Sequence, residues 1–278
     1  VRSVFLGEDG ARVRLFVLSS GSSGNCLVVE AEGERLVVDA GMGPVRATER
    51  MRSLGADLIT SRPPLGVFLT HEHGDHAAQA LPLARALRSP LFAHRGITLE
   101  RAPKRVQVVA YDPLRPLTLG PFHIEAVAIP HDAAQIALRI SAGGRRFGIA
   151  TDLGHPTREV RALLSGCDLV MLEANYCPEL LESGPYPSRL KRRVGGPLGH
   201  LANAQAADLA ASLEDTRVSR LVLAHISRTN NTPERALATV SARLRRLPVE
   251  ALPHGEPRRL DVTDSRRLAH ADQLAFGF

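Results

Sequence analysis

Apolar residues along this chain fall into short runs bounded by turn residues. They occur at 13–18 (VRLFVL), 26–30 (CLVVE), 35–39 (RLVVD), 66–70 (GVFLT), 122–129 (FHIEAVAI), 135–141 (QIALRIS), 146–150 (RFGIA), 168–172 (DLVML) and 219–224 (SRLVLA). Runs of this length predict β-strands, and those apolar at consecutive positions predict strands buried on both faces. Between them, helical spacing marks 75–88, 157–164, 201–213 and 233–246. The last opens on Thr232-Pro233-Glu234, where Thr suits the N-cap and Pro the first helical position. Strands interspersed with helices predict an α/β (α+β) chain with helix-covered sheets rather than a bare β-sandwich. Pro and Gly are spread evenly, with no repeat or linker. One domain is expected over 1–278, with its core at about 12–260, a loop-rich insertion at about 174–200 and a loose tail at 262–278.

Composition narrows the class. The 278 residues are 44% hydrophobic and 23% charged, enough to bury a core without a disulfide or zinc staple. Cys26, Cys167 and Cys177 cannot all pair and form no CxxC, which predicts a reduced, cytoplasmic protein. No run of 18 apolar residues is present, so no membrane span is expected. The first residues lack the order of a secretory leader. Net charge is +6, and only Lys104 and Lys191 of the 35 basic residues are lysine, which leaves 33 arginines. That excess permits a polyanion partner, but codon bias would give the same excess.

The candidate chemistry sits in VFLTHEHGDH, residues 67–76. A buried strand runs into His71, His73, Asp75 and His76. In an extended segment His71 and His73 point the same way, because side-chain direction repeats every two residues. Asp75 and His76 fall where the chain turns into a helix and can aim at a second point. The spacing therefore suits two metals side by side, and imidazole with carboxylate suits Zn²⁺, Mn²⁺ or Fe²⁺.

With this HxHxDH motif the sequence resembles the metallo-β-lactamase superfamily, over about residues 12–230. The resemblance implies a four-layer αββα sandwich and further site residues, each at the end of an apolar run. These are Asp39 in LVVDAG, His131 in AIPHDA, Asp152 in GIATDLG and His225 in LVLAHIS. It implies one metal held by His71, His73, His131 and Asp152. It implies a second held by Asp75, His76, Asp152 and His225, with Asp152 bridging and zinc or manganese as the ions. Asp132 is a rival to His131. Asp39 would orient a ligand histidine through its other ring nitrogen. A hydroxide between two such ions can displace at phosphorus.

Selection within the superfamily rests on other segments. No Cys stands at a ligand position, unlike the main zinc β-lactamases. The chain is too short for a β-CASP insertion, and only about fifty residues follow His225, too few for the helical domain of glyoxalase II. LSSGSSGNC (18–26), LEANYCPELLESGPYPSRLKRRV (172–194), GHLANAQAADLA (199–210) and LAHISRTNNTPERA (223–236) together resemble the YycJ/WalJ family of bacterial 5′-to-3′ DNA exonucleases. In the second segment Tyr176 and Cys177 stand where relatives often carry a histidine. The third also resembles the general-acid motif of ribonuclease Z, which makes His200 the candidate acid and, with Asp75, the candidate catalytic pair. Ser20, Ser22 and Ser23 in a glycine-containing loop, with Asn25, suit a phosphate. Arg189, Lys191 and Arg192, with Arg193, could contact the backbone of an extended strand, and Tyr186 could stack on a base. The expected partner is a nucleic acid, DNA rather than RNA. The alternatives are a hydrolase of a small phosphoester or thioester, a ribonuclease Z-like RNA-processing enzyme, or a non-catalytic nucleic-acid-binding module.

Overall fold

The computed structural model describes residues 13–99 and 105–262. The expected tail lies outside the described residues except for Val262, which ends the last strand.

Two seven-stranded sheets are present. The first contains β1 (Val13–Ser19), β2 (Cys26–Ala31), β3 (Glu34–Val38), β4 (Val67–Phe68), β5 (Leu91–His94) and β6 (Val108–Tyr111) in that order, with β14 (Arg258–Val262) beside β1. The second runs from β7 (Leu117–Leu119) through β8 (Phe122–Ile129), β9 (Gln135–Ala142), β10 (Arg145–Ala150), β11 (Leu169–Glu173) and β12 (Arg220–Ala224) to β13 (Val249–Ala251).

The doubly buried runs explain the layering. In β1, Leu15 and Val17 face the other sheet and join Phe147, Ile149 and Met171. The alternate residues Phe16 and Leu18 face outward, onto Met51 and Leu83 of helices α1 (Pro44–Ser53) and α3 (Ala80–Leu87). On the far side Val170 and Leu172 pack with Leu164, Leu209 and Val240. These belong to α4 (Arg158–Ser165), α7 (Asn203–Ala211) and α8 (Pro233–Ser241). The result is the expected αββα sandwich. Strands buried on both faces need apolar side chains at successive positions.

Several elements differ from expectation. The helix expected at 75–88 is split into α2 (Gly74–Ala77) and α3, because the Gln79 amide donates to Ala40 O instead of continuing the helical ladder. α8 begins as expected, with the Thr232 side chain accepting from Arg235 N. It ends at Ser241 rather than 246, because the Glu214 carboxylate takes the amides of Arg245, Arg246 and Leu247. The loop-rich stretch 174–200 is about half helical. It carries α5 (Pro178–Ser183), with Pro178 in its first turn, and α6 (Ser188–Val194), which follows Pro187.

Candidate metal centre

β1 is antiparallel to β2, β2 to β3, and β3 is parallel to β4. β8 and β10 are each antiparallel to β9, and β10, β11 and β12 are parallel. The ends of β1, β3 and β4 therefore fall at one edge of the first sheet, and those of β8, β10, β11 and β12 at one edge of the second. Carboxyl ends of strands are where α/β sheets place their sites. Asp39, Asp152 and His225 leave their strands with φ of +61°, +56° and +51°. That left-handed turn costs a non-glycine residue roughly 1–2 kcal/mol and is characteristic of functional sites.

The side chains gather into groups. Ligand atoms of His71, His73 and His131 lie within 4.8 Å of one another, as do those of Asp75, His76, Asp152 and His225. A third group joins Asp152 and His225 to Glu173 and His200. Nitrogen faces nitrogen between His131 Nε2 and His73 Nδ1, at 3.1 Å. His71 Nε2 is buried with no hydrogen-bond partner. Asp152 Oδ2 is also buried and makes no hydrogen bond, although His76 Nε2 is 3.0 Å away. His225 Nε2 is 3.4 Å from Asp75 Oδ2 and 3.5 Å from Asp152 Oδ1. Buried polar atoms left unpaired are costly, and a divalent cation would satisfy them. The donor set therefore fits metal binding. Asp132 stands beside His73 and His131, at 3.3 and 3.4 Å, but its other oxygen accepts from Arg193 Nε at 2.5 Å. His131, not Asp132, belongs to the first group.

The supports are carboxylates behind the imidazoles. His76 Nδ1 donates to Asp39 Oδ2 at 2.7 Å, and Thr70 N donates to Asp39 Oδ1 at 2.9 Å. Asp39, at the end of LVVDAG, is thus bound to His76 and to the Thr70 backbone. Glu173 is fully buried. Its Oε1 accepts from His200 Nδ1 at 2.8 Å and His225 Nδ1 at 2.9 Å. Its Oε2 accepts from Leu153 N and Leu201 N. Burial and neighbouring imidazoles push His71 down to about 2. Burial alone would also lower His76, but Asp152 and Asp39 override it and hold the imidazole up at about 10. Asp152, Asp75 and Glu173 raise His225 in the same way, and Glu173 and Asp152 raise His200. Glu173, despite its burial, is held down at about 2 by His200 and His225.

The Beta-lactamase superfamily domain matches residues 34–226. The chain belongs to the metallo-β-lactamase superfamily. Within it, the chain is similar to the exodeoxyribonuclease YycJ of Bacillus anthracis, with 30% identity over 81% of this chain and 86% of that protein. Similarity to the exodeoxyribonuclease WalJ of Streptococcus pneumoniae (strain D39) is 31%, over 81% and 85%. The crystal structure of Zn(2+)-bound PqqB from Methylobacterium extorquens has the same fold, with a TM-score of 0.68, 18% identity and coverage of 89% and 100%.

The loops around this metallo-β-lactamase centre are tied to it. Asn25 N donates to Asp75 O at 2.6 Å, and Gly41 N to Asn25 O at 2.9 Å. A Cβ on Gly41 would stand 1.8 Å from Asp75 O, so only glycine allows this approach. Asn25 Nδ2 reaches within 2.8 Å of His76 Nε2, and Ser20 Oγ accepts from His225 N at 2.8 Å. Over the centre lies a cavity of about 350 Å³ lined by Ser22, His73, Asp75, Asp152, Arg193, His200 and His225 among others. Ser23 lines a neighbouring cavity that also includes Ser20 and Ser22. Of the basic run on α6, Arg193 lines the central cavity, while Lys191 Nζ turns to the Glu182 carbonyl and Arg189 and Arg192 are exposed. Glu173 was missed in the sequence. Its only signal is an acidic residue ending a buried apolar strand, in DLVMLE.

Proposed function

We propose that the chain is a dinuclear metal-dependent phosphodiesterase that shortens DNA from its 5′ end. The observation that carries the reading is the pair of ligand groups flanked by His200, in a chain similar to two exodeoxyribonucleases over most of its length. His71, His73 and His131 would hold one ion. Asp75, His76, Asp152 and His225 would hold the other, with zinc or manganese as the ions. When bound, such ions supply Lewis acidity toward a phosphoryl oxygen and acidify water.

The protein supplies orientation and protons. Asp39 takes the Nδ1 proton of His76, and Glu173 that of His225, so each imidazole presents Nε2 to the cleft. His200 is fixed by the same Glu173, which leaves its Nε2 to carry a proton. Raised by Glu173 and Asp152, that imidazole is suited to protonate the leaving 3′ oxygen as a general acid. Arg193 faces the cavity and offers a guanidinium to a phosphate. Ser22 and the loop around it offer hydroxyl and backbone donors.

The test is digestion of 5′-phosphorylated DNA, with matched RNA alongside, in Mn²⁺ and in Zn²⁺. Wild type should release mononucleotides from DNA, and His71→Ala and Asp75→Ala should not. Absence of mononucleotide release under either metal refutes the reading, and preference for RNA refutes its DNA part.

A further inference from the structure

A second cavity adjoins the centre. It encloses about 250 Å³ between Ser20–Ser23 and Ile226–Thr229, with Tyr186 as its third wall. It shares Ser22 with the central cavity, so the two adjoin. Its walls are fixed. Ser20 Oγ accepts from His225 N, and Ser227 Oγ accepts from Thr229 N and Asn230 N. Gly21, at φ +104°, lets the loop pass close to Ile226 O. The lining combines an aromatic ring, an aliphatic side chain, hydroxyls and one guanidinium, that of Arg228.

More positive charge stands behind this wall. Arg50 donates through Nη1 to Leu18 O at 2.6 Å, beside the start of the serine loop. Burial, then the like charges of Arg46 and Arg228, hold Arg50 below its ordinary value. Arg228 has its room because residue 255 is glycine. A Cβ there would stand 2.3 Å from Nη2. The Arg228 guanidinium lining a small, partly aromatic cavity, with Arg50 within its electrostatic reach, suits a ligand that is anionic at one end and flat at the other.

We propose that this cavity binds the terminal nucleoside 5′-monophosphate unit of the strand, its base against Tyr186 and Ile226 and its phosphate on Arg228. The proposal rests on the nuclease reading and deepens it. The volume lies just below the ~300–1,000 Å³ of common small-ligand pockets, so the cavity is sized for a single unit rather than a longer stretch of strand. An end that must seat there before hydrolysis explains release one residue at a time.

The test uses the metal-loaded full chain. Deoxyadenosine 5′-monophosphate and deoxyadenosine are titrated calorimetrically into wild type, Arg228→Gln and Tyr186→Ala. Arg228→Gln should weaken the monophosphate roughly 10- to 100-fold, the loss of one charge-assisted contact, and leave the nucleoside unchanged. Tyr186→Ala should weaken both by roughly 5- to 100-fold. The KM for 5′-phosphorylated DNA should rise with each, and Arg228→Gln should keep the wild-type thermal midpoint. Wild-type monophosphate affinity in both variants, while the wild type still digests DNA, overturns the proposal alone. Wild type that hydrolyses bis(p-nitrophenyl) phosphate but not DNA overturns the nuclease reading instead.

Discussion

Replacing Glu173 with glutamine tests how the centre is held together. Glu173 Oε2 accepts from two backbone amides, Leu153 N and Leu201 N, which cannot reverse their roles. In Glu173→Gln the new side-chain oxygen must stay with them, so its NH₂ turns toward Nδ1 of His200 and His225. Both nitrogens must then accept, which moves each imidazole proton to Nε2. For His225 that is the atom facing Asp75 and Asp152, and a protonated Nε2 cannot ligate a metal. The cost is large because Glu173 is fully buried and held at about 2 against an ordinary 4.5. The attraction of the two imidazoles therefore outweighs the penalty of burying this charge. Loss of such an orienting carboxylate is expected to lower metal affinity or activity about 10- to 100-fold. Competition against a chromophoric chelator reads the affinity, and the pH–rate profile for bis(p-nitrophenyl) phosphate reads His200. Wild-type affinity together with an unshifted profile in Glu173→Gln would refute the reasoning.

Three further outcomes are expected. Metal-free protein should lose thermal stability as pH rises from about 6.5 toward about 10. His76 is raised on folding, so its contribution is complete below the unfolded value and lost through the folded one. His71, held down at about 2, acts oppositely and weakens the fold as pH falls below 6.5. Melting curves in chelator across this range should therefore peak near neutrality, and a flat profile would contradict the assignment. Gly41→Ala should cost roughly 1–3 kcal/mol in denaturant titrations, because its methyl meets Asp75 O and Asn25 N. Metal affinity should fall with it. Arg193→Gln should reduce the salt slope of DNA binding, read by fluorescence anisotropy on metal-free protein, by about 1. An unchanged slope would place Arg193 off the phosphate path.

The sandwich was legible because it is written in consecutive residues, and the side chains that gather into the ligand groups stand at the ends of those runs. Runs such as CLVVE and DLVML show burial on two faces, and each candidate ligand stands where such a run ends. Glu173 was not legible. An acidic residue closing a strand has many uses, and this one depends on His200 and His225 arriving from distant loops. α1 was hidden because PVRATERMRS buries only Ala47, Thr48 and Met51. The flanking strands β7 and β13 were missed because each has three residues and no buried run. In the stretch 174–200, Pro178 and Pro187 read as loop, yet each stands at a helix start, where proline is accommodated. Arg193 could be placed at the cleft only once α6 was known, since four neighbouring basic side chains point in different directions.

The central claim is that the His71, His73 and His131 group and the Asp75, His76, Asp152 and His225 group together form a two-metal centre acting on DNA ends. The most direct measurement titrates Mn²⁺ into metal-free protein while following the shortening of 5′-phosphorylated DNA. The rate should rise to a plateau at two equivalents per chain, and Asp152→Asn should remain inactive throughout. Full activity at one equivalent, or no shortening at any ratio, would contradict the account.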